Sequence, residues 1–203
     1  CIYNPLNHDE IIRKSKRKSK KIFKDKKKLR ILNIGRFTEQ KDQITFLKAL
    51  NQIKDTIKFE AVIIGRGKLH KELSEYVFKN NLNQFIKIID FVDNPFPLLK
   101  QTELFILSSR YEGLPNVLLE ALSLKKFIIS SNCPTGPKEI LLNGKGGFLF
   151  DTGNHNELAN KIIYYTKNKK KCSAMLRYAT RKLYRFDYQT NLKKYLNLVN
   201  QLA

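Results

Sequence analysis

Two cations and two carboxylates stand at spacings suited to handling a phosphorylated ligand. Arg36 and Lys41 lie in the stretch from Gly35 to Lys41, directly after an apolar run. A guanidinium grips phosphate through paired N–H bonds, and an ammonium adds a point charge. Gly35 permits a tight turn off the run that precedes it. Farther on, Glu112 and Glu120 stand eight residues apart in SSRYEGLPNVLLEAL, residues 108–122. Pro115 suits a first helical turn. The helix start at Asn116 then presents unpaired N–H groups, an anion site that fits a diphosphate. Eight helical residues turn about 80° beyond two full turns, so two helical glutamates would not share a face. With Glu112 in the loop before the helix, both can face one cleft. Two basic residues in one loop are ordinarily just solvated, and glutamates at this spacing recur by chance. The specificity comes from the whole context of strand, EGLP turn and apolar helix.

Other motifs narrow the chemistry. Gly65-Arg66-Gly67-Lys68 is glycine-rich but fits neither GxxxxGK[ST] nor GxGxxG, which argues against a P-loop nucleotidase and a dinucleotide site. Residues 131–139 form a turn fixed by Pro134, Gly136 and Pro137 that feeds a helix, and Glu139 sits where the helix dipole favours an acid anyway. His8, His70 and His155 are far apart, which leaves a histidine metal site or a Ser-His-Asp triad without support. Cys1, Cys133 and Cys172 form no CxxC pair and are odd in number, as expected of free thiols in a reducing compartment.

The elements that must position these loops follow from the hydropathy pattern. Apolar runs suited to buried strands fall near 30–34, 59–64, 85–89, 103–107 and 126–130, with a further short one near 147–150. Helix-like stretches near 42–55, 68–80, 95–101 and 115–124 alternate with them, and helices are expected over 154–167 and most of 169–202. Such alternation predicts an α/β fold, a doubly wound parallel sheet with helices on both faces and C-terminal helices. Ligands of such sheets bind outside the strand carboxyl ends. The loops in question are 35–41, 65–68, 90–94, 108–116 and 131–139. Residues 1–10 are expected to be extended, with Pro5 biasing Asn4 away from helix, and 11–28 to be linker or exposed surface.

Length and charge bound the rest. The 203 residues suffice for one α/β domain with a real core and not for two large ones. No apolar run approaches the roughly 18 residues of a membrane span. The chain starts at Cys1, not Met, and is expected to lack something upstream. Its net charge of +21 is uneven. Residues 11–30 hold twelve Lys/Arg against Asp25, and residues 161–194 hold eleven against Asp187, while the remainder balances. Such blocks suit nucleic acid, lipid head groups or phosphorylated substrates; a lysine-rich codon bias accounts for them equally well. A non-enzymatic nucleic-acid module would interleave aromatics with the cations for stacking, yet residues 11–30 contain only Phe23. Nucleic acid is therefore not expected as a partner. A split-gene fragment that folds without function is the other alternative, and the intact motif residues argue against it.

Taken together, IYNP at 2–5, GRFTEQKDQ at 35–43, VIIGRGK at 62–68, FVDNP at 91–95, SSRYEGLPNVLLEAL at 108–122, SNCPTGPKEIL at 131–141 and NGKGGFLF at 143–150 resemble the C-terminal domain of retaining GT-B glycosyltransferases of family 4. The resemblance covers roughly residues 30–165. It implies a Rossmann-like half of a two-domain fold, with 1–28 as interdomain linker and basic segment and 29–203 as the nucleotide-sugar-binding domain. It implies that Arg36 and Lys41 bind the donor diphosphate, Glu112 stands near the transferred sugar, and Glu120 accepts hydrogen bonds from ribose hydroxyls. By the same resemblance Gly35 shapes the donor loop. Leu114, Pro115, Asn116 and Val117 line sugar and phosphate, and Phe91 and Val92 cover the base. One departure is that the family's glycine before the base loop is Asp90 or Val92 here.

The implied reaction transfers a hexose or N-acetylhexosamine from a UDP-sugar to a glycan or lipid-linked acceptor in bacterial surface polysaccharide or lipopolysaccharide synthesis. No DxD motif occurs, since Asp90-Phe91-Val92-Asp93 has the wrong spacing, so no metal or other cofactor is expected. Arg36, Lys41 and the helix start near Asn116 would then meet the charge on the leaving diphosphate. The family implies front-face attack with retention. It also implies a missing N-terminal domain that holds most of the acceptor site, so this half alone is expected to bind donor without turnover. The expected location is cytoplasmic, at the inner face of an anionic membrane.

Overall fold

The computed structural model describes residues 2–202 except Asn4, together with all but the side chain of Leu202; the expectation for Asn4 lies outside the described residues. Six strands, β1 Leu29–Ile34, β2 Phe59–Ile64, β3 Ile86–Ile89, β4 Leu104–Leu107, β5 Phe127–Ser131 and β6 Phe148–Phe150, form one parallel sheet. β4 and β5 are buried along their whole lengths, as continuous apolar strands covered on both faces must be. The strand order is β3-β2-β1-β4-β5-β6. From β1 the chain builds outward through β2 and β3, then returns to place β4 on the other side of β1. Connections leave these two neighbours in opposite directions, which opens a crevice at their carboxyl ends. The α/β doubly wound, Rossmann-like class read from the sequence is the class found.

Helices α2 Gln43–Ile53, α3 His70–Lys79 and α7 His155–Lys167 cover one face of the sheet. Helices α1 His8–Ser15, α4 Phe96–Lys100, α5 Asn116–Ser123 and the four-residue α6 Pro137–Ile140 cover the other. Local chemistry starts several of them. Asp42 caps α2 by accepting from the Thr45 amide at 3.3 Å and the Thr45 hydroxyl at 2.9 Å. Asn154 caps α7 by accepting from the Glu157 amide at 3.0 Å.

The expectations for residues 1–28 are corrected. Residues 8–15 are helical where an extended segment and linker were expected. Asn7 accepts from the Glu10 amide at 3.0 Å, and acids in the first turn with bases in the last complement the helix dipole. The basic stretch is also not wholly surface, because Ile11 and Phe23 are buried in the core. The C-terminal stretch is helical over most of 169–202, as expected. It breaks into α8 Lys169–Arg181 and α9 Tyr188–Leu202, separated by a 3-10 turn, Leu183–Phe186. The break lets Phe186 turn fully inward, and its carbonyl accepts from the Leu6 amide at 2.8 Å.

Candidate functional site

The crevice over β1 and β4 is stitched from loops that hold one another. Gly35, at the end of β1, donates its amide to Ile64 at 3.0 Å, and Gly65 donates to Ile89 at 3.1 Å. A Cβ at Gly65 would stand 2.0 Å from the Gly35 carbonyl oxygen, so glycine is what allows the first two loops to touch. Phe37 is buried beneath the loop, while Arg36 beside it is exposed. Among the described residues no carboxylate reaches ion-pair distance of Arg36. Its charge is thus uncompensated at the strand end.

Lys41 is different. Its Nζ lies 2.6 Å from Glu112 Oε1, and Ser109 Oγ donates to the same oxygen at 2.6 Å. The Glu112 side chain is 8% exposed and that of Lys41 17%, so the pair is largely sheltered. Around it the β1 and β4 loops share further bonds. Ser108 Oγ donates to the Lys41 carbonyl at 2.9 Å, the Arg110 amide to the Gln40 carbonyl at 2.7 Å, and Gln40 Nε2 to the Tyr111 carbonyl at 3.1 Å. Arg110 also pairs with Asp42 at 3.2 Å. The chain thereby brings together residues 71 positions apart across its topological switch.

The loop after β5 completes the wall. The Glu112 amide donates to the Pro134 carbonyl at 2.7 Å, and the Thr135 amide donates back to the Glu112 carbonyl at 2.8 Å. Ser131 Oγ donates to the Ser109 carbonyl at 2.6 Å. Gly136, at φ 81°, packs so closely that a Cβ would meet the Gly113 oxygen at 2.2 Å and Pro115 Cδ at 2.7 Å. Cys133 is buried beside this junction, and burial pushes its thiol pKa up.

Helix α5 starts at Asn116, after Pro115 and without a side-chain cap. The Asn116 and Val117 amides find no backbone acceptor among the described residues, which leaves the positive helix end open. Leu114 and Val117 are half-buried and Asn116 is exposed. Glu120, on the second turn, is mostly enclosed, and burial alone raises its carboxyl above the ordinary value of 4.5. A carboxylate left short of partners in this way is ready to accept hydrogen bonds.

Phe91 and Val92 follow β3, at the far end of the same carboxyl edge. Phe91 is exposed, and the Arg66 guanidinium lies 4.8 Å from its ring centroid. Arg66 carried no assigned role from the sequence, nor did Ser109. The available signals were a cation between two glycines at a strand end and a hydroxyl three residues before an acid. Beyond β5, a cavity of about 610 Å³ opens between the 131–139 loop, α6 and the 3-10 turn, with Thr135, Lys138, Glu139 and Arg185 on its walls. Among the described residues no group of three or more His, Cys, Asp and Glu is placed to hold a metal. No helix among them is long and apolar enough to cross a membrane.

A doubly wound sheet in the 3-2-1-4-5-6 order places an unpaired cation, Arg36, a paired one, Lys41, and an open helix start at its switch point, an arrangement able to receive an anionic ligand. The chain belongs to the family described as glycosyl transferases group 1, whose profile it matches over residues 14–182. It is 40% identical over 121 residues to an uncharacterized glycosyltransferase of Methanocaldococcus jannaschii, covering 59% of this chain and 29% of that one. It is 28% identical over 128 residues, 63% of this chain and 34% of the other, to the N-acetylgalactosamine-N,N'-diacetylbacillosaminyl-diphospho-undecaprenol 4-alpha-N-acetylgalactosaminyltransferase of Campylobacter jejuni. The chain therefore spans about a third of the length of these relatives. Among solved structures, Anabaena Alr3699/HepE in complex with UDP-glucose superposes with a TM-score of 0.83 at 20% identity, covering 98% of this chain and 57% of that one. The fold is that of one half of a GT-B glycosyltransferase.

Proposed function

We propose that this chain is the donor-binding half of a retaining glycosyltransferase that takes a UDP-hexose or UDP-N-acetylhexosamine. The observation that carries this reading is the charge arrangement at the switch point. Arg36 stands free, Lys41 is held by Glu112, and the α5 start is open beside them. A donor diphosphate laid along this edge meets Arg36, Lys41 and the Asn116 and Val117 amides. These groups stabilise the negative charge that develops on the leaving diphosphate, with no metal needed for it. Glu120 accepts from the ribose hydroxyls, Phe91 and Val92 bound the base, and Leu114 and Pro115 shape the sugar pocket above the Gly35 turn. Glu112 stands nearest the transferred sugar and positions Lys41.

The acceptor is a glycan or a lipid-linked glycan in polysaccharide synthesis, and a second, N-terminal domain supplies most of its site. Residues 1–203 alone bind donor nucleotide and do not turn over. The whole enzyme works at the cytoplasmic face of an anionic membrane, to which the basic segments are drawn at about 1 kcal/mol per cation near the surface. The relatives named above support the donor and acceptor classes. The test is a titration of residues 1–203 with UDP, GDP and ADP in the presence of a chelator. UDP is expected to bind at least several times more tightly than the other two. Equal affinities would remove the uridine assignment, and multiple turnovers by this chain alone would remove the half-site reading.

A further inference from the structure

The sheet face under α1, α4 and α5 is unevenly covered. Register pairs Val62 with Lys87 and Ile64 with Ile89, so all four side chains point to this face. Over β2 and β3 the cover is completed by the extended segment between α1 and β1. Hydrogen bonds tie that segment down: the Ile22 amide donates to Gln101 Oε1 at 3.1 Å, Gln101 Nε2 donates to Ser19 Oγ at 3.3 Å and to the Lys20 carbonyl at 3.2 Å, and the Lys24 and Asp25 amides donate to the Glu60 carboxylate at 2.6 and 3.1 Å.

A backbone strap fills less space than a helix, and a groove remains beside it. Two cavities, of about 490 and 360 Å³, share Ile22, Val62 and Lys87 and so run on from one another. They extend beside β3 from Phe91 and Val92 at its carboxyl end to Asn83 and Gln84 at its amino end. Ile22, Val62, Ile89, Val92 and Leu98 make the wider part apolar. Its rim carries Lys20, Lys21 and Lys87 against Asp90 alone. The strap continues the charge: five of the six residues 16–21 are cations, all six are exposed, and none is acidic.

We propose that this groove holds the acyl chain of an anionic lipid, with the lipid phosphate on Lys20, Lys21 and Lys87. A free phosphate would leave the apolar trough wet, and a neutral chain would leave the lysines without a partner. A long apolar chain ending in an anion satisfies both. The inference deepens the membrane-face reading and takes its choice of a lipid from it; it does not depend on the donor site.

The test uses residues 1–203 with dodecyl phosphate below its micelle concentration, dodecyl maltoside, inorganic phosphate, and vesicles with and without phosphatidylglycerol. Dodecyl phosphate is expected to bind at least tenfold more tightly than either partial probe. Ile22→Asn and the exposed Lys87→Glu should each weaken it at least fivefold and reduce pelleting with anionic vesicles. Thermal scans verify that both variants are folded. Equal binding of dodecyl phosphate and inorganic phosphate would overturn the proposal, as would indifference of dodecyl phosphate to Lys87→Glu. Pelleting with anionic vesicles without dodecyl phosphate binding would overturn the groove and spare the membrane reading. Dodecyl phosphate binding without pelleting would support the groove and count against the membrane reading.

Discussion

Lys41 Nζ and Glu112 Oε1 meet at 2.6 Å across the junction of β1 and β4, and Ser109 braces the same carboxylate oxygen. The pair does two things in the ligand-free chain. It neutralises both charges, and it locks the loop before α5 to the loop after β1. Lys41→Ala removes the cation and leaves a sheltered carboxylate underpaired, which costs about 1–3 kcal/mol. At about 2–4 °C per kcal/mol for a chain of this size, the loss should be plain in a thermal scan. The double variant Lys41→Ala/Glu112→Gln should recover most of that stability, because no buried charge remains, while UDP affinity stays low. Recovery of UDP affinity together with stability would mean that Lys41 acts only on the fold.

Glu120 is expected to trade stability for binding. Burial raises its folded pKa above 4.5, so the folded chain holds this proton more tightly than the unfolded chain does. Its contribution to stability is therefore full below about pH 4.5 and is lost as pH rises through the raised folded value. Glu120→Gln should melt higher than the parent at pH 7.5, with the difference closing as pH falls below 4.5. Charge-assisted bonds to ribose are worth about 1.5–3 kcal/mol each, so the same variant should weaken UDP at least tenfold. A melting difference that is flat across this range would show that the carboxyl is not desolvated.

Gly136 holds the third loop against the second. Its positive φ and the 2.2 Å approach of a Cβ to the Gly113 oxygen leave no room for a side chain. Gly136→Ala should push Pro115 and the α5 start away from Lys41. Stability should fall by about 1–3 kcal/mol for the strained backbone, and UDP affinity should fall more than uridine affinity. Unchanged titrations of both ligands would show that the β5 loop is not part of the wall.

Much of this arrangement is legible in the sequence. Every strand fell within a residue or two of its apolar run, because buried parallel strands carry no alternation to confuse the signal. The site loops followed from those strand ends, so the placement of Arg36, Lys41 and Glu112 was legible as well. Their direct ion pair was not, because it depends on β4 lying beside β1, and strand order is a long-range property. Helix α1 was missed although Asn7 and Glu10 stand at a capping spacing; the run of lysines behind them obscured it. The break at Leu183–Phe186 was missed for a tertiary reason, since Phe186 is drawn into the core against the local helical pattern.

The central claim is that Arg36 and Lys41 receive a diphosphate at this crevice without a metal. Paired calorimetric titrations of UDP and uridine, in chelator, on the parent and Arg36→Ala test it most directly. Arg36 has no carboxylate partner among the described residues, so its removal should leave the melting temperature near that of the parent. UDP affinity should fall at least tenfold in Arg36→Ala, and uridine affinity should change by less than twofold. Equal losses for both ligands, or UDP binding that appears only when magnesium is added, would contradict it.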